Sequence, residues 1–281
     1  MIAHGSVIVF TLFVIVSGHS AQRENCLKTL RANFAFIVDA SDTTEHFEFE
    51  FYVKEYMNDL VRKLRIGKEH ALVSVLLYSE RLFLAINPER VQTLDQLLMA
   101  IRKLPHLGGP SSKANLAGAV TGTVSAAFPV RTNETLNEAV RVVILISSGR
   151  LAQSETVSDY PTEKISVFPN RLQLGHHIAS IQPVANTVTL QPEAREDERL
   201  KKLGELLKSR IDYVFSIGLK GAYERGIQLL ANSVKEHAFL VGEADPSYAG
   251  LSLDNFDPSL ILCPDPGESY VFSHPEIDFS G

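Results

Sequence analysis

The order of apolar segments along this 281-residue chain predicts an α/β fold: a doubly wound, mostly parallel six-stranded sheet with one antiparallel edge strand. Three observations carry that expectation. Short, nearly continuous apolar runs recur along the chain, the pattern of strands buried on both faces. Between most of them lie segments whose apolar residues step by three or four, as in helices that bury one side. One pair of runs is separated only by a tight turn, which sets those two strands antiparallel.

The elements follow in order. Residues 33–38 (NFAFIV) are the first, central strand, ending at Asp39. Over 47–66, Phe49, Val53, Met57, Leu60 and Leu64 recur at helical steps, and Gly67 stops the helix. Residues 71–78 (ALVSVLLY) and 81–86 are strands joined through Ser79 and Glu80. Residues 91–104 form a second helix, closed by Pro105. After the loop 108–112 (GGPSS), Leu116, Val120, Val124 and Phe128 mark a third. Residues 141–146 (RVVILI) are a buried strand ended by Ser147, Ser148 and Gly149. Within 198–210, Leu200, Leu203, Leu206 and Leu207 share a helix face, with Lys201, Lys202, Glu205 and Lys208 solvated opposite. Residues 213–217, 223–234 and 238–241 read as strand, helix, strand, and a last helix leads to Cys263.

Three segments stand outside this alternation. Residues 6–16 (SVIVFTLFVIV) are an apolar run too short for a bilayer, which needs roughly 20 residues, and fit the core of a secretory signal. A signal over 1–20, cut near Ser20–Ala21, is expected; the alternative is a buried N-terminal strand. Residues 151–197 are an acidic insertion between a strand and its helix, and such long connections are usually functional or disordered. The tail 264–281 carries Pro264, Pro266 and Pro275 and four acids with no Lys or Arg, and is expected to be flexible. The folded domain then occupies 26–263.

Composition narrows the function. With 27 basic and 33 acidic residues the formal charge is −6, so no basic field exists to hold nucleic acid or an anionic membrane. No later stretch is apolar and long enough to be a membrane span, so the mature protein is expected to be secreted and extracellular. Cys26 and Cys263 are the two cysteines. In an oxidising compartment an even pair most simply closes one disulfide; two free buried thiols are the alternative. Asn133, Glu134 and Thr135 form a glycosylation sequon in a polar stretch. G-x-G-x-x-G after the first strand, the P-loop pattern and G-x-S-x-G are all absent, and a disulfide would remove the cysteine nucleophile. His176 and His177 are adjacent, not at the i, i+4 spacing of a helical metal pair, and read as loop histidines. Catalysis is therefore not expected.

The first strand runs into Asp39-Ala40-Ser41-Asp42-Thr43, which resembles the D-x-S-x-S loop of the von Willebrand factor type A domain family. Leu107-Gly108-Gly109 with 114–120 (ANLAGAV), 144–150 (ILISSGR), 214–219 (VFSIGL) and 239–241 (FLV) resemble further stretches of that family in the same order. The likeness covers about 33–150 and 198–263, and flanking cysteines also occur in the family's matrix members. It implies a fold of the kind predicted above and a metal-ion-dependent adhesion site. Asp39, Ser41 and Thr43 would converge there, because alternate residues at a strand end point the same way, and oxygen ligands suit Mg²⁺. Asp42 should face away. The family's metal-binding Thr falls at Ala114 and its second Asp at Ser148, so one oxygen and one charge are missing. No cofactor is expected, with Mg²⁺ or Mn²⁺ at the residual Asp39, Ser41 and Thr43 set as the alternative. The resemblance implies a non-catalytic extracellular-matrix protein that binds a protein partner, such as a collagen, or itself. Alternatives are a self-assembling structural component and a divalent-dependent adhesion protein.

Overall fold

The computed structural model describes residues 25–91, 93–108, 114–128, 139–151, 166–167, 192–233, 236–241 and 251–264. The expected signal, Asn133, His176, His177, most of the insertion and nearly all of the tail lie outside the described residues. Seven strands are present among the described residues: β1 (Ala32–Asp39), β2 (Ala71–Tyr78), β3 (Leu82–Ile86), β4 (Val140–Ser147), β5 (Ser166–Val167), β6 (Tyr213–Gly218) and β7 (Ala238–Leu240). They lie in the order β5-β3-β2-β1-β4-β6-β7. β1 runs parallel to β2 and β4, and β4, β6 and β7 continue in parallel. β3 is antiparallel to β2, as the turn through Ser79 and Glu80 predicts. The six predicted strands form the body of the sheet. The two-residue β5, drawn from the insertion, pairs with β3 beyond the edge where the sheet was expected to end.

The helices are α1 (Lys54–Lys63), α2 (Leu94–Arg102), α3 (Leu116–Ala126), α4 (Pro192–Lys208), α5 (Glu224–Leu230) and α6 (Ser259–Leu262). The helix predicted over 47–66 is divided: its first part, Glu48–Val53, is a π-helix leading straight into α1. That wide turn sends Phe49 and Val53 into the core and leaves Phe47 and Phe51 more than half exposed. Thr93 caps α2 by accepting the Gln96 N–H, and Asn115 caps α3 by accepting the Gly118 N–H at 2.7 Å. α4 starts six residues earlier than the leucine periodicity indicates, at Pro192, a residue well suited to a first helical position.

Period-two alternation divides the core between the two faces of the sheet. Phe34, Phe36 and Val38 of β1, with Val142, Ile144 and Ile146 of β4, pack toward the π-helix, α1 and α2. Ala35, Ile37, Val143 and Leu145 face the other way, toward α3 and α4. Each fully buried Phe of β1 contributes roughly 2–3 kcal/mol by transfer from water. The two ends of the domain are tied together. Cys26 and Cys263 form a disulfide, with Cα atoms 5.9 Å apart. Lys63 Nζ pairs with Asp257 at 2.6 Å, holding the segment before α6 onto α1.

Candidate functional site

β1 and β4 are neighbours in the sheet, yet the chain visits β2 and β3 between them. At such a switch point the loops leaving the carboxyl ends of the strands diverge, and a crevice opens. Backbone hydrogen bonds stitch its walls. Ala40 N donates to Tyr78 O (2.8 Å), Leu107 N to Ala40 O (2.8 Å), Asn115 N to Ser79 O (2.7 Å) and Tyr223 N to Ser148 O (2.7 Å). The crevice is a cavity of about 570 Å³. The loop after β1 contributes Asp42, Thr43 and Thr44, that after β4 Ser148 and Arg150, and that after β6 Lys220. Ala114, just ahead of α3, completes the wall.

Asp39 lies fully buried beneath this surface. Its Oδ1 accepts Ser41 N–H (3.0 Å) and Ser41 Oγ–H (2.6 Å), and its Oδ2 accepts Thr43 Oγ1–H (2.7 Å). Ser41 Oγ and Thr43 Oγ1 are 2.8 Å apart. The side chains of Asp39, Ser41 and Thr43 thus converge in one hydrogen-bonded network. Burial raises the Asp39 pKa above its ordinary value, and hydrogen bonds from Ser41, Thr43 and Tyr78 work in the opposite direction.

The donor set is poor for a hard divalent cation, which takes about six oxygens. Both carboxylate oxygens of Asp39 are engaged within the loop, and Ala114 has no donor atom. Ser148 is partly exposed and brings a hydroxyl but no charge. The charged side chains lining the cavity are Asp42, Arg150 and Lys220, with the Asp39 carboxylate buried beneath them. Among the described residues, no group of three or more His, Cys, Asp or Glu is placed to share a metal.

Sequence reasoning places Arg150 at the carboxyl end of its strand without giving it a role, and it missed Lys220 and the residues that hold Arg150. Gly149 adopts φ +67°, and a Cβ there would lie 2.8 Å from Tyr223 O, so only glycine turns the chain here without strain. Gly226 permits the same approach from the other side, since its Cβ would fall 1.9 Å from Gly149 O. The turn sets the Arg150 guanidinium over the Tyr223 ring, 5.0 Å from its centroid. Tyr223 Oη in turn donates to Asp197 Oδ1 at 2.7 Å. Beside it, Glu196 accepts the Leu151 N–H at 2.8 Å, so the two ends of the insertion meet at the rim of the cavity. The signal for Arg150 was its place directly after the strand-ending Ser-Ser-Gly; nothing in the sequence paired it with Tyr223 or Asp197.

Residues 33–170 match the family model described as von Willebrand factor type A domain. The chain is 28% identical over 126 residues to the human collagen alpha-1(XX) chain, covering 44% of this chain and 9% of that one. Among solved structures it is similar to proximal thread matrix protein 1 from the mussel byssus, with TM-score 0.51 at 17% identity, over 76% of this chain and 42% of that protein. A second structure of the mussel protein, described with a zinc-occupied MIDAS motif, gives TM-score 0.51 at 16% identity, with the same coverage. The chain therefore spans less than half the length of each of these proteins. At this identity the structural likeness speaks to the fold, which agrees with the strand order and the carboxyl-end crevice described above. Over residues 33–170 the chain carries a von Willebrand factor type A domain, similar to a segment of a collagen chain.

Proposed function

We propose that this chain is a secreted, non-catalytic matrix protein that binds another extracellular protein, a collagen among the candidates, through its carboxyl-end face and without a bridging metal. The observation that carries this reading is the rebuilt face itself. Asp39 is satisfied by Ser41 and Thr43, Ala114 has no donor, and Arg150 and Lys220 face the cavity. The matched domain and the likeness to a collagen chain support the matrix setting. No helix among the described residues is long and apolar enough to cross a membrane. Both cysteines are joined, which removes thiol nucleophiles. The domain layout belongs to the same reading: a signal over 1–20, a domain over 26–263, a tail over 264–281 and a glycan on Asn133.

The convergence of Asp39, Ser41 and Thr43 favours one second reading, adhesion through Mg²⁺ or Mn²⁺. Thermal unfolding in EDTA and then in millimolar Mg²⁺ or Mn²⁺ separates the two. A metal that binds only the folded state adds about 2.7 kcal/mol at a hundredfold excess over Kd. The expected result is an unchanged Tm, together with binding to immobilised collagens that persists in EDTA. A Tm rise that disappears in Asp39→Ala would establish the metal reading instead.

A further inference from the structure

We propose that the outer side of the π-helix, built on Phe47 and Phe51 and flanked by Glu45 and Glu55, docks a basic, apolar segment of a partner protein. None of these residues lines the carboxyl-end cavity, so this is a second surface, separate from the face proposed above. Phe47 and Phe51 are 54% and 57% exposed, whereas Phe is among the residues most often found buried. Their rings lie 4.7 Å apart at a tilt of 32°, and Tyr52 meets Phe47 edge-on at 5.6 Å. The platform is fixed from beneath. The Lys54 N–H reaches back five residues to Phe49 O, and Phe49 and Val53 anchor the wide turn with fully buried side chains. Wide turns of this kind are rare and occur frequently at functional sites. A platform held in advance loses little rotamer entropy when it is covered.

Charge selects the occupant. Residues 45–55 (EHFEFEFYVKE) carry four glutamates against one lysine. That lysine, Lys54, is engaged by both carboxylate oxygens of Glu50 at 2.7 Å and its side chain is only 8% exposed. Glu45 and Glu55 are exposed and have no ion-pair partner among the described residues. Phe47, Phe51 and Glu55 follow one another at steps of four, so two rings and a carboxylate lie along one side. A second copy of the chain would bring glutamates onto glutamates, and an anionic membrane would be repelled. A segment in which Lys or Arg alternates with apolar side chains satisfies both features. Its apolar carbons cover the rings, and its cationic heads reach Glu45 and Glu55 or sit over the ring faces.

The test titrates the whole ¹⁵N-labelled chain with the blocked peptide acetyl-Lys-Phe-Leu-Lys-amide, with its acidic counterpart acetyl-Glu-Phe-Leu-Glu-amide, and with acetyl-Lys-Gly-Gly-Lys-amide. The expected result is saturable shifts at the Phe47, Phe51 and Glu55 amides with the first peptide and none with the other two. Phe47→Ser with Phe51→Ser, and separately Glu45→Gln with Glu55→Gln, should each weaken that binding roughly tenfold while leaving Tm unchanged. The Gln pair alters only exposed carboxylates, so it reads the site even if the Ser pair lowers the Tm. The proposal is overturned if no shift saturates, if either control peptide acts as strongly, or if binding is indifferent to either folded double variant. Two further results would overturn it by assigning another occupant. One is a dimer of the chain alone, seen in sedimentation and lost in the Ser pair, which would make a second copy the cover. The other is binding to phosphatidylcholine vesicles by the wild type and not by the Ser pair, which would make the cover a lipid surface.

Discussion

Asp39 and His237 are, among the described residues, two buried ionisable groups whose protonation burial displaces. Asp39 accepts three hydrogen bonds from Ser41 and Thr43, so Asp39→Ala leaves buried donors without an acceptor. We expect a loss of about 2–3 kcal/mol in urea denaturation. Asp39→Asn keeps an acceptor oxygen and removes a buried charge, so it should lose less than about 1 kcal/mol. Because the folded pKa is raised, Asp39 supports folding most at low pH, and that support is lost as pH rises through the folded value. His237 is 3% exposed, its ring nitrogens have no hydrogen-bond partner among the described residues, and its ring stacks on Phe215 at 4.8 Å. Burial, with a smaller effect of Lys208, lowers its pKa from 6.5 to about 4. The unfolded chain therefore takes up the proton first, and stability should fall as pH drops from 6.5 to about 4. The fall is at most roughly 3–4 kcal/mol, at about 1.4 kcal/mol per pKa unit. Urea midpoints across that range check it, and His237→Phe should flatten the profile relative to the wild type.

At the scale of elements, the turn after β4 is the most constrained. Gly149→Ala combines a left-handed φ with contacts to Tyr223 O and Ile227 that a Cβ cannot meet. A loss of roughly 1–3 kcal/mol is expected, with a displaced Arg150 side chain visible by NMR. A normal Tm in this variant would show that the turn relaxes. The elements with strong apolar periodicity, β1, β2, β4 and the leucine part of α4, were legible because burial on one or both faces writes itself into residue order. The first turns of α4 carry Pro-Glu-Ala-Arg-Glu-Asp and show no such order; tertiary bonds from Glu196 and Asp197 hold them. β5 has two residues, too few for any period. The π-helix shares its apolar spacing with an ordinary helix, so only the backbone distinguishes them.

For the whole molecule, the disulfide closes a loop with a sequence separation of 237 between Cys26 and Cys263. A chain-entropy treatment assigns such a cross-link up to about 5 kcal/mol. Cys26→Ser with Cys263→Ser should lower the Tm clearly, in differential scanning calorimetry, while the native sheet persists in circular dichroism at low temperature. An unchanged Tm would mean that the Lys63–Asp257 pair and the packing of Phe256 already hold the C-terminal segment in place.

Sequence by itself determined the α/β class, the six-strand body of the sheet and the pairing partners available to two cysteines. Those properties follow from periodicity, residue chemistry and order, which are local or countable. Tertiary structure alone decided that Lys220 joins Arg150, Thr43 and Ser148 at one cavity, and that Tyr223 and Asp197 hold Arg150 at its rim. The loops involved are far apart in the chain and lack periodic patterns. They meet because adjacent parallel strands deliver their carboxyl ends to the same edge of the sheet.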